Sequence, residues 1–161
     1  MTRLLTPTRR RGVEILDNPA VDPELMKRSM SDVVRANVMF GGRRAALAEL
    51  AGALEKIGTE ATLLDVGTGH GDIAAAARSA ARSLGKNLST IGIDASLCLV
   101  SANRGDSAFA VQGNALALPF RDHSTDIVLT SQMLHHFPRD LAVTVVREMN
   151  RVAFERVVIS D

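Results

Sequence analysis

Residues 63–72 run Leu-Leu-Asp-Val-Gly-Thr-Gly-His-Gly-Asp, so Gly67, Gly69 and Gly71 alternate between two acids, Asp65 and Asp72. The apolar residues up to Val66 read as a buried strand, and the alanine-rich stretch after Asp72 reads as a helix. Glycines let the backbone turn sharply and let a ligand approach the main chain with no Cβ in the way. A loop of this kind, leaving the carboxyl end of a strand, is where open α/β sheets bind ligands. The same glycines would also serve a plain strand-to-helix turn, and a glycine pattern alone is a weak signal. Charge narrows the choice. A dinucleotide loop is spaced G-x-G-x-x-G and aims a helix N-terminus at a pyrophosphate. Here the spacing is G-x-G-x-G, and Asp72 stands where the third glycine would be. A carboxylate there repels a diphosphate, whereas two acids suit a cationic ligand.

Asp94 ends the run Thr90-Ile91-Gly92-Ile93-Asp94, 23 residues after Gly71. From that position a carboxylate accepts hydrogen bonds from both hydroxyls of a ribose. Asp is also a favoured N-cap, so it would equally cap the helix that follows. His135 and His136 are the residues best suited to proton transfer near neutrality, with His136 favoured. A histidine pair at the end of a strand also serves packing or backbone bonding. Cys98 is the single cysteine; it is expected to face a core, since a nucleophilic role needs a nearby base. Asp126 reads as a structural residue at the start of a strand. Asp122-His123 is a loop dipeptide without a third ligand, and no spacing of a helix-borne metal site occurs.

These residues need a scaffold of alternating strands and helices. Asp22-Pro23-Glu24 reads as a helix start, with an N-cap, proline at the first position and an acid in the first turn. That helix is expected to run to about Phe40, with Met26, Met30, Val33, Val34 and Val38 on one face, and to break at Gly41-Gly42. A second helix is expected over 43–57, with Leu47, Leu50, Ala51, Leu54 and Ile57 at helical spacing. Strands are expected at 62–66, 90–93, 108–111, 126–130 and 156–160, and helices at 72–84, 96–104 and 139–153. The stretch 112–125 reads as loop. Near-continuous apolar strands separated by helices mean a parallel sheet covered on both faces, so the fold class is α/β, a doubly wound parallel sheet.

Composition excludes several classes. The chain has 161 residues, 46% of them apolar, and a net charge of +1. That is enough for a core and gives no general attraction to nucleic acid or anionic membrane. The dense basic run Arg9-Arg10-Arg11 reads as a solvated tail. A lone cysteine permits no intrachain disulfide and fits a reducing, cytoplasmic setting. No apolar stretch approaches a membrane span, and the N-terminus lacks the apolar run of a signal peptide. Trp and Tyr are absent, which weighs against base stacking on a single-stranded nucleic acid.

Taken together, five blocks resemble the class I S-adenosylmethionine methyltransferases, in particular the small-molecule group that includes the ubiquinone and menaquinone C-methyltransferases. Leu64–Gly71 resembles their motif I and Ile91–Asp94 their motif II. Gly113-Asn114-Ala115-Leu116-Ala117-Leu118-Pro119-Phe120 is similar to a G-D-A-x-x-L-P-F block. Thr125–Ser131 with His135-His136-Phe137 is similar to an F-D-x-V-x-S…L-H-H block. Arg147–Val152 resembles the helix before strand five. The resemblance covers roughly residues 60–161.

It implies a Rossmann-like sheet of order 3-2-1-4-5 with an N-terminal helical lid, divided into a tail and lid, 1–58, and a cofactor domain, 59–161. S-adenosyl-L-methionine is the implied cofactor, its ammonium and sulfonium matching the acids. The methionine part would lie over Gly67, Thr68, Gly69, His70 and Gly71, with Asp65 near the amino group and Asp94 with Ala95 at the ribose. Gly113, Asn114 and Ala115 would meet the adenine; the family often has Asp where Asn114 stands. Ser131 and Gln132 would lie beside the methyl group, and Asn37, Phe40 and Arg43 at the lid or substrate. The acceptor would be a quinone, polyketide or other apolar metabolite. Ser131–Leu134 lacks the proline-aromatic motif of nucleobase amine methylation. An oxidoreductase using NAD(P), or a non-catalytic cofactor-binding protein, is the rival expectation. The family sheet has seven strands and this sequence reaches the fifth, so a C-terminally shortened form is expected, whose strand-five edge would invite self-association.

Overall fold

The computed structural model describes residues 42–102 and 109–161, together with residues 22, 24, 25, 28, 29, 31 and 32. Five parallel strands form one sheet in the order β3-β2-β1-β4-β5. In chain order the elements are α1 (Gly42–Lys56), β1 (Glu60–Val66), α2 (Asp72–Ser83), β2 (Asn87–Asp94) and α3 (Leu97–Ala102), then β3 (Phe109–Gln112), β4 (Thr125–Ser131), α4 (Arg139–Val152) and β5 (Ala153–Ser160). A 3-10 turn, Leu134–His136, lies between β4 and α4.

Helices cover both faces, which explains why the central strands are apolar without alternation. Successive side chains of β1 point to opposite sides. Leu63 therefore joins Ile127 and Leu129 of β4 beneath α1 and α2, while Leu64 and Val66 join Val128 beneath α4. All six are fully buried, and each such side chain contributes about 1.5–3 kcal/mol of burial. Ala74, Ala77 and Ala81 of α2 are also fully buried; their small side chains let the helix lie close on the sheet. On α4 the buried residues are Val145, Met149 and Val152, spaced to form one apolar stripe.

Two polar clamps hold the layers. The Lys86 ammonium donates to the carbonyls of Leu54, Glu55 and Ile57 at 2.7, 2.8 and 2.6 Å, satisfying the open C-terminal end of α1. Arg151 of α4 donates from Nε and Nη2 to the two carboxylate oxygens of Glu148, at 2.8 and 2.7 Å. It also donates to the carbonyls of Leu118 and Phe120, and Glu148 accepts the Leu118 N–H. This Glu–Arg fork pins the 118–120 segment to the sheet. The bidentate bond holds the Glu148 carboxyl below the usual carboxylate range.

The expected elements from residue 43 onward occur within the described residues, with shifted ends. β2 and β5 each begin three residues earlier than expected, because the pairing Glu60↔Asn87 and Thr125↔Ala153 carries the ladder down past the apolar run. Gly42 opens α1; the expected end of the preceding helix lies outside the described residues. The expected loop 112–125 holds one isolated bridge, Asn114↔Ala117. Helix α3 is described only to Ala102, and its expected end at 104 lies outside the described residues. Asp22 does cap a helical turn, accepting the N–H of Glu24 and Leu25 at 2.7 and 3.2 Å. Most of the expected lid, including Met26, Met30, Asn37 and Phe40, lies outside the described residues. No helix of the described residues is long and apolar enough to cross a membrane.

Candidate functional site

Register brings the chemistry to one end of the sheet. Val66 of β1 is level with Ile93 of β2 and with Thr130 of β4. Gly67, Asp94 and Ser131 therefore leave the sheet side by side at its carboxyl edge. The strand order reverses between β1 and β4, where such sheets place their ligands.

The three glycines of the first loop have φ of +75°, +53° and +77° at Gly67, Gly69 and Gly71, the left-handed region that side chains disfavour. A Cβ on Gly67 would stand 2.6 Å from Cγ of Met133, so the loop passes close under the segment that follows β4. The N–H groups of Gly67 and Thr68 donate to the Ile93 carbonyl at 2.8 and 3.1 Å, tying the bend to β2. Gly69 N–H donates to Asp94 Oδ2 at 3.0 Å, and Ser96 N–H to Asp94 Oδ1 at 2.9 Å. Asp94 thus spans the two loops. The helix that follows is capped by Ser96, whose hydroxyl accepts from Leu99 N–H at 3.4 Å, and not by Asp94. Each Asp94 oxygen accepts one bond here, and a carboxylate oxygen has room for a second.

Three acids converge at this bend. Asp65 is 3% exposed, and the Thr68 hydroxyl donates to its Oδ2 at 2.8 Å. Burial pushes its carboxyl up to about 7; the Thr68 bond opposes the rise, and the negative fields of Asp72 and Asp94 add to it. Asp72 is also raised, chiefly by burial, with its own backbone N–H and then Arg43 the main opposing influences. Asp72 Oδ2 and His70 Nε2 are buried and have no hydrogen-bond partner. Buried polar atoms of this kind ask for a ligand or water. Arg43, expected near the lid or substrate, lines a groove of about 660 Å³ between α1 and α2, together with Leu47, Asp72 and Ser79.

The remaining expected residues take up the rim. Gly113 N–H donates to the Asp94 carbonyl at 2.9 Å, which sets Gly113, Asn114 and Ala115 directly beyond Asp94. Asn114 is exposed, and its side-chain carbonyl accepts the Leu116 N–H at 2.9 Å, leaving its amide N–H₂ outward. Ser131 ends β4. Gln132 has φ +52° and its N–H donates to the Ser160 carbonyl at 2.8 Å. His135 and His136 sit on the 3-10 turn with ring centroids 4.3 Å apart. His135 Nδ1 lies 2.8 Å from a carboxylate oxygen of Asp161, so it is tied to the end of β5. Asp126 is structural, accepting the Thr62 N–H and hydroxyl, each at 2.7 Å. His123 Nδ1 is bonded to the Ala153 carbonyl at 3.0 Å. Cys98, expected in a core, is only half-buried.

Two contributors escaped sequence reasoning. Gly92 is level with Asp65 in the ladder, and Thr68 occupies the space of its missing side chain. Met133 packs on Gly67. For Gly92 the sequence did carry a signal, a glycine inside a strand, which marks a close approach.

The site fits a cationic sulfur nucleoside. The three acids supply negative charge, the glycine bend has no Cβ atoms to obstruct it, and His70 and Asp72 hold unpaired polar atoms at its helix end. A family model described as a methyltransferase domain matches residues 64–156, more than half of the chain. A search of curated proteins finds no match. Among solved structures the chain is similar to the YcgJ protein of Bacillus subtilis, with 28% identity over 66% of this chain and 46% of that one and a TM-score of 0.52. An assigned S-adenosyl-L-methionine-dependent methyltransferase of Methanococcus maripaludis is 16% identical over 95% of this chain and 67% of its own, with a TM-score of 0.65. A TehB-like methyltransferase of Corynebacterium glutamicum that depends on the same cofactor is 16% identical over 84% of this chain and 72% of its own, at 0.62. The chain spans less than half the length of the first of these. The two low-identity pairs share its fold and are described as dependent on S-adenosyl-L-methionine, the cofactor that the family and these two neighbours imply. With the matched model running from the end of β1 into β5, the chain belongs to the methyltransferase domain family.

Proposed function

We propose that this chain is the cofactor-binding part of an S-adenosyl-L-methionine-dependent methyltransferase whose acceptor is a small, apolar molecule such as a quinone or polyketide, working in the cytoplasm. The observation that carries the reading is the glycine bend held between the carboxyl groups of Asp65, Asp72 and Asp94, an acidic setting that a diphosphate would avoid. Residues 59–161 form the cofactor domain, and residues 1–58 the tail and lid segment, whose helix α1 packs on the sheet.

When bound, the cofactor supplies a methyl group already activated by its sulfonium. The chain's own part is to bind and orient. Asp65 faces the ammonium, and the backbone of Gly67, Thr68, Gly69, His70 and Gly71 lies under the methionine part. Asp94 accepts from the ribose hydroxyls with Ala95 beside it. Gly113, Asn114 and Ala115 border the adenine. Ser131 and Gln132 line the position of the transferred methyl, and Asn37, Phe40 and Arg43 belong to the lid. Holding donor and acceptor in line removes most of the entropic barrier. A base is required only where the acceptor must lose a proton. His136 is the candidate favoured for that role, with His135, whose Nδ1 lies 2.8 Å from Asp161, as the second.

The test is transfer of a tritiated methyl group from S-adenosyl-L-methionine into a small-molecule extract of the source cell. Transfer is expected, and His136→Ala is expected to lower it by roughly a hundredfold, the small end of general-base effects because the leaving sulfur needs no help. Unchanged transfer by His136→Ala would dismiss the base. Cofactor binding without any transfer would favour a binding protein.

A further inference from the structure

We propose that Gly92 and Thr68 form a positioning pair that sets the Asp65 carboxylate for the cofactor, Gly92 by leaving the hollow in which the Thr68 side chain sits. This rests on the reading of Asp65 as the ammonium partner. Gly92 of β2 and Asp65 of β1 are partners in the parallel ladder, so the missing side chain of Gly92 would project on the same face as the Asp65 carboxylate. A Cβ on Gly92 would stand 2.6 Å from Thr68 Cγ2, 2.8 Å from Oγ1 and 3.0 Å from Cβ. All three distances are at or inside the closest approach of packed atoms, and Thr68 is 6% exposed. Thr68 is held at both ends. Its N–H is bonded to the Ile93 carbonyl at 3.1 Å, and its carbonyl accepts the Gly71 N–H at 2.8 Å. Its hydroxyl donates to Asp65 Oδ2 at 2.8 Å.

The side chain therefore has one place to stand, and only a glycine at 92 provides it. Gly92 itself shows no conformational need for glycine, since its φ is not among the positive values. The hydroxyl bond does two things for Asp65. It fixes the direction of one carboxylate oxygen, and it stabilises the charged form in a buried setting. Losing it leaves a buried carboxylate that takes up a proton more readily and turns away from an ammonium.

The experiment measures S-adenosylhomocysteine affinity by calorimetry and the Asp65 titration by carbon-13 NMR, in the wild type and four variants. Gly92→Ala is expected to weaken binding by about tenfold and to raise the Asp65 midpoint by about one pH unit, the size of one lost charged hydrogen bond. Thr68→Ser removes the methyl group nearest the new Cβ and keeps the hydroxyl. In the double variant Gly92→Ala with Thr68→Ser, Oγ1 would still stand 2.8 Å from the new Cβ, so that variant is expected to stay close to Gly92→Ala in both readouts, with Thr68→Ser alone near wild type. Thr68→Val keeps the shape and loses the donor, and is expected to match Gly92→Ala in both readouts. Should Gly92→Ala fail to fold, Thr68→Val carries the same test. Wild-type midpoints in Gly92→Ala and Thr68→Val overturn the proposal. The NMR arm needs no ligand, so a wild type that binds no S-adenosylhomocysteine would sink the functional reading while still deciding this one.

Discussion

Asp94→Ala is expected to weaken S-adenosylhomocysteine binding by about a thousandfold. Hydrogen bonds to a charged acceptor are worth roughly 1.5–3 kcal/mol each, and two ribose hydroxyls meet this carboxylate, so about 4 kcal/mol is lost. The structure gives a second reason for a large effect. The Asp94 oxygens also accept from Gly69 N–H and Ser96 N–H, so the alanine releases the glycine bend from the loop after β2. Asp94→Asn keeps one acceptor oxygen and is expected to fall between wild type and alanine. Isothermal calorimetry checks the series, with circular dichroism to confirm the fold. An Asp94→Ala protein within threefold of wild type would remove the ribose role.

The second large effect is expected from pH. Burial, aided by Asp72 and Asp94 and opposed by Thr68, places the Asp65 carboxyl at about 7. Ionised Asp65 favours an ammonium and protonated Asp65 does not. Affinity for S-adenosylhomocysteine is therefore expected to tighten as pH rises through neutrality, by about a hundredfold between pH 5 and pH 8 at up to tenfold per unit. Ligand-free stability has the opposite sign. The native carboxyl keeps a proton that the unfolded chain has released, between the ordinary 3.8 and about 7. This group alone makes the free protein less stable as pH rises across that window, with no further change above it. Affinity titrations and thermal melts at matched pH read the two trends separately. Asp65→Asn is expected to flatten both; a pH-dependent affinity that survives it would assign the titration elsewhere.

Much of this was legible in the residues. The run from Leu63 to Val66 is buried on both faces, so it lacks alternation, and that pattern already implied a covered parallel sheet. The Gly67, Gly69 and Gly71 spacing identified the bend, and all three adopt the left-handed backbone that the pattern requires. Asp94 was legible as an acid beside the bend because it ends an apolar run at the right interval after it, and its carboxylate does meet the bend at Gly69. Strand starts were not legible. Asn87 and Ala153 belong to strands through their ladder partners Glu60 and Thr125, not through their own composition. The expectation that Asp94 caps α3 failed for a similar reason: Ser96 lies one residue before that helix, and the tie to Gly69 is a contact across 25 residues. Gly92, Thr68 and Asp65 form a unit only once β1 and β2 are in register, which no local pattern encodes. The Glu148–Arg151 fork was visible as an i, i+3 pair on a helix, but its grip on Leu118 and Phe120 was not.

Charge selection at the glycine bend is the central claim, and parallel calorimetric titration of the purified chain with S-adenosylhomocysteine and with NADH tests it most directly. Saturable one-to-one binding of the sulfur nucleoside, with no heat from the dinucleotide, is the predicted result. Binding of NADH with none of S-adenosylhomocysteine would contradict it, because a pocket walled by Asp65, Asp72 and Asp94 would then be accepting a diphosphate.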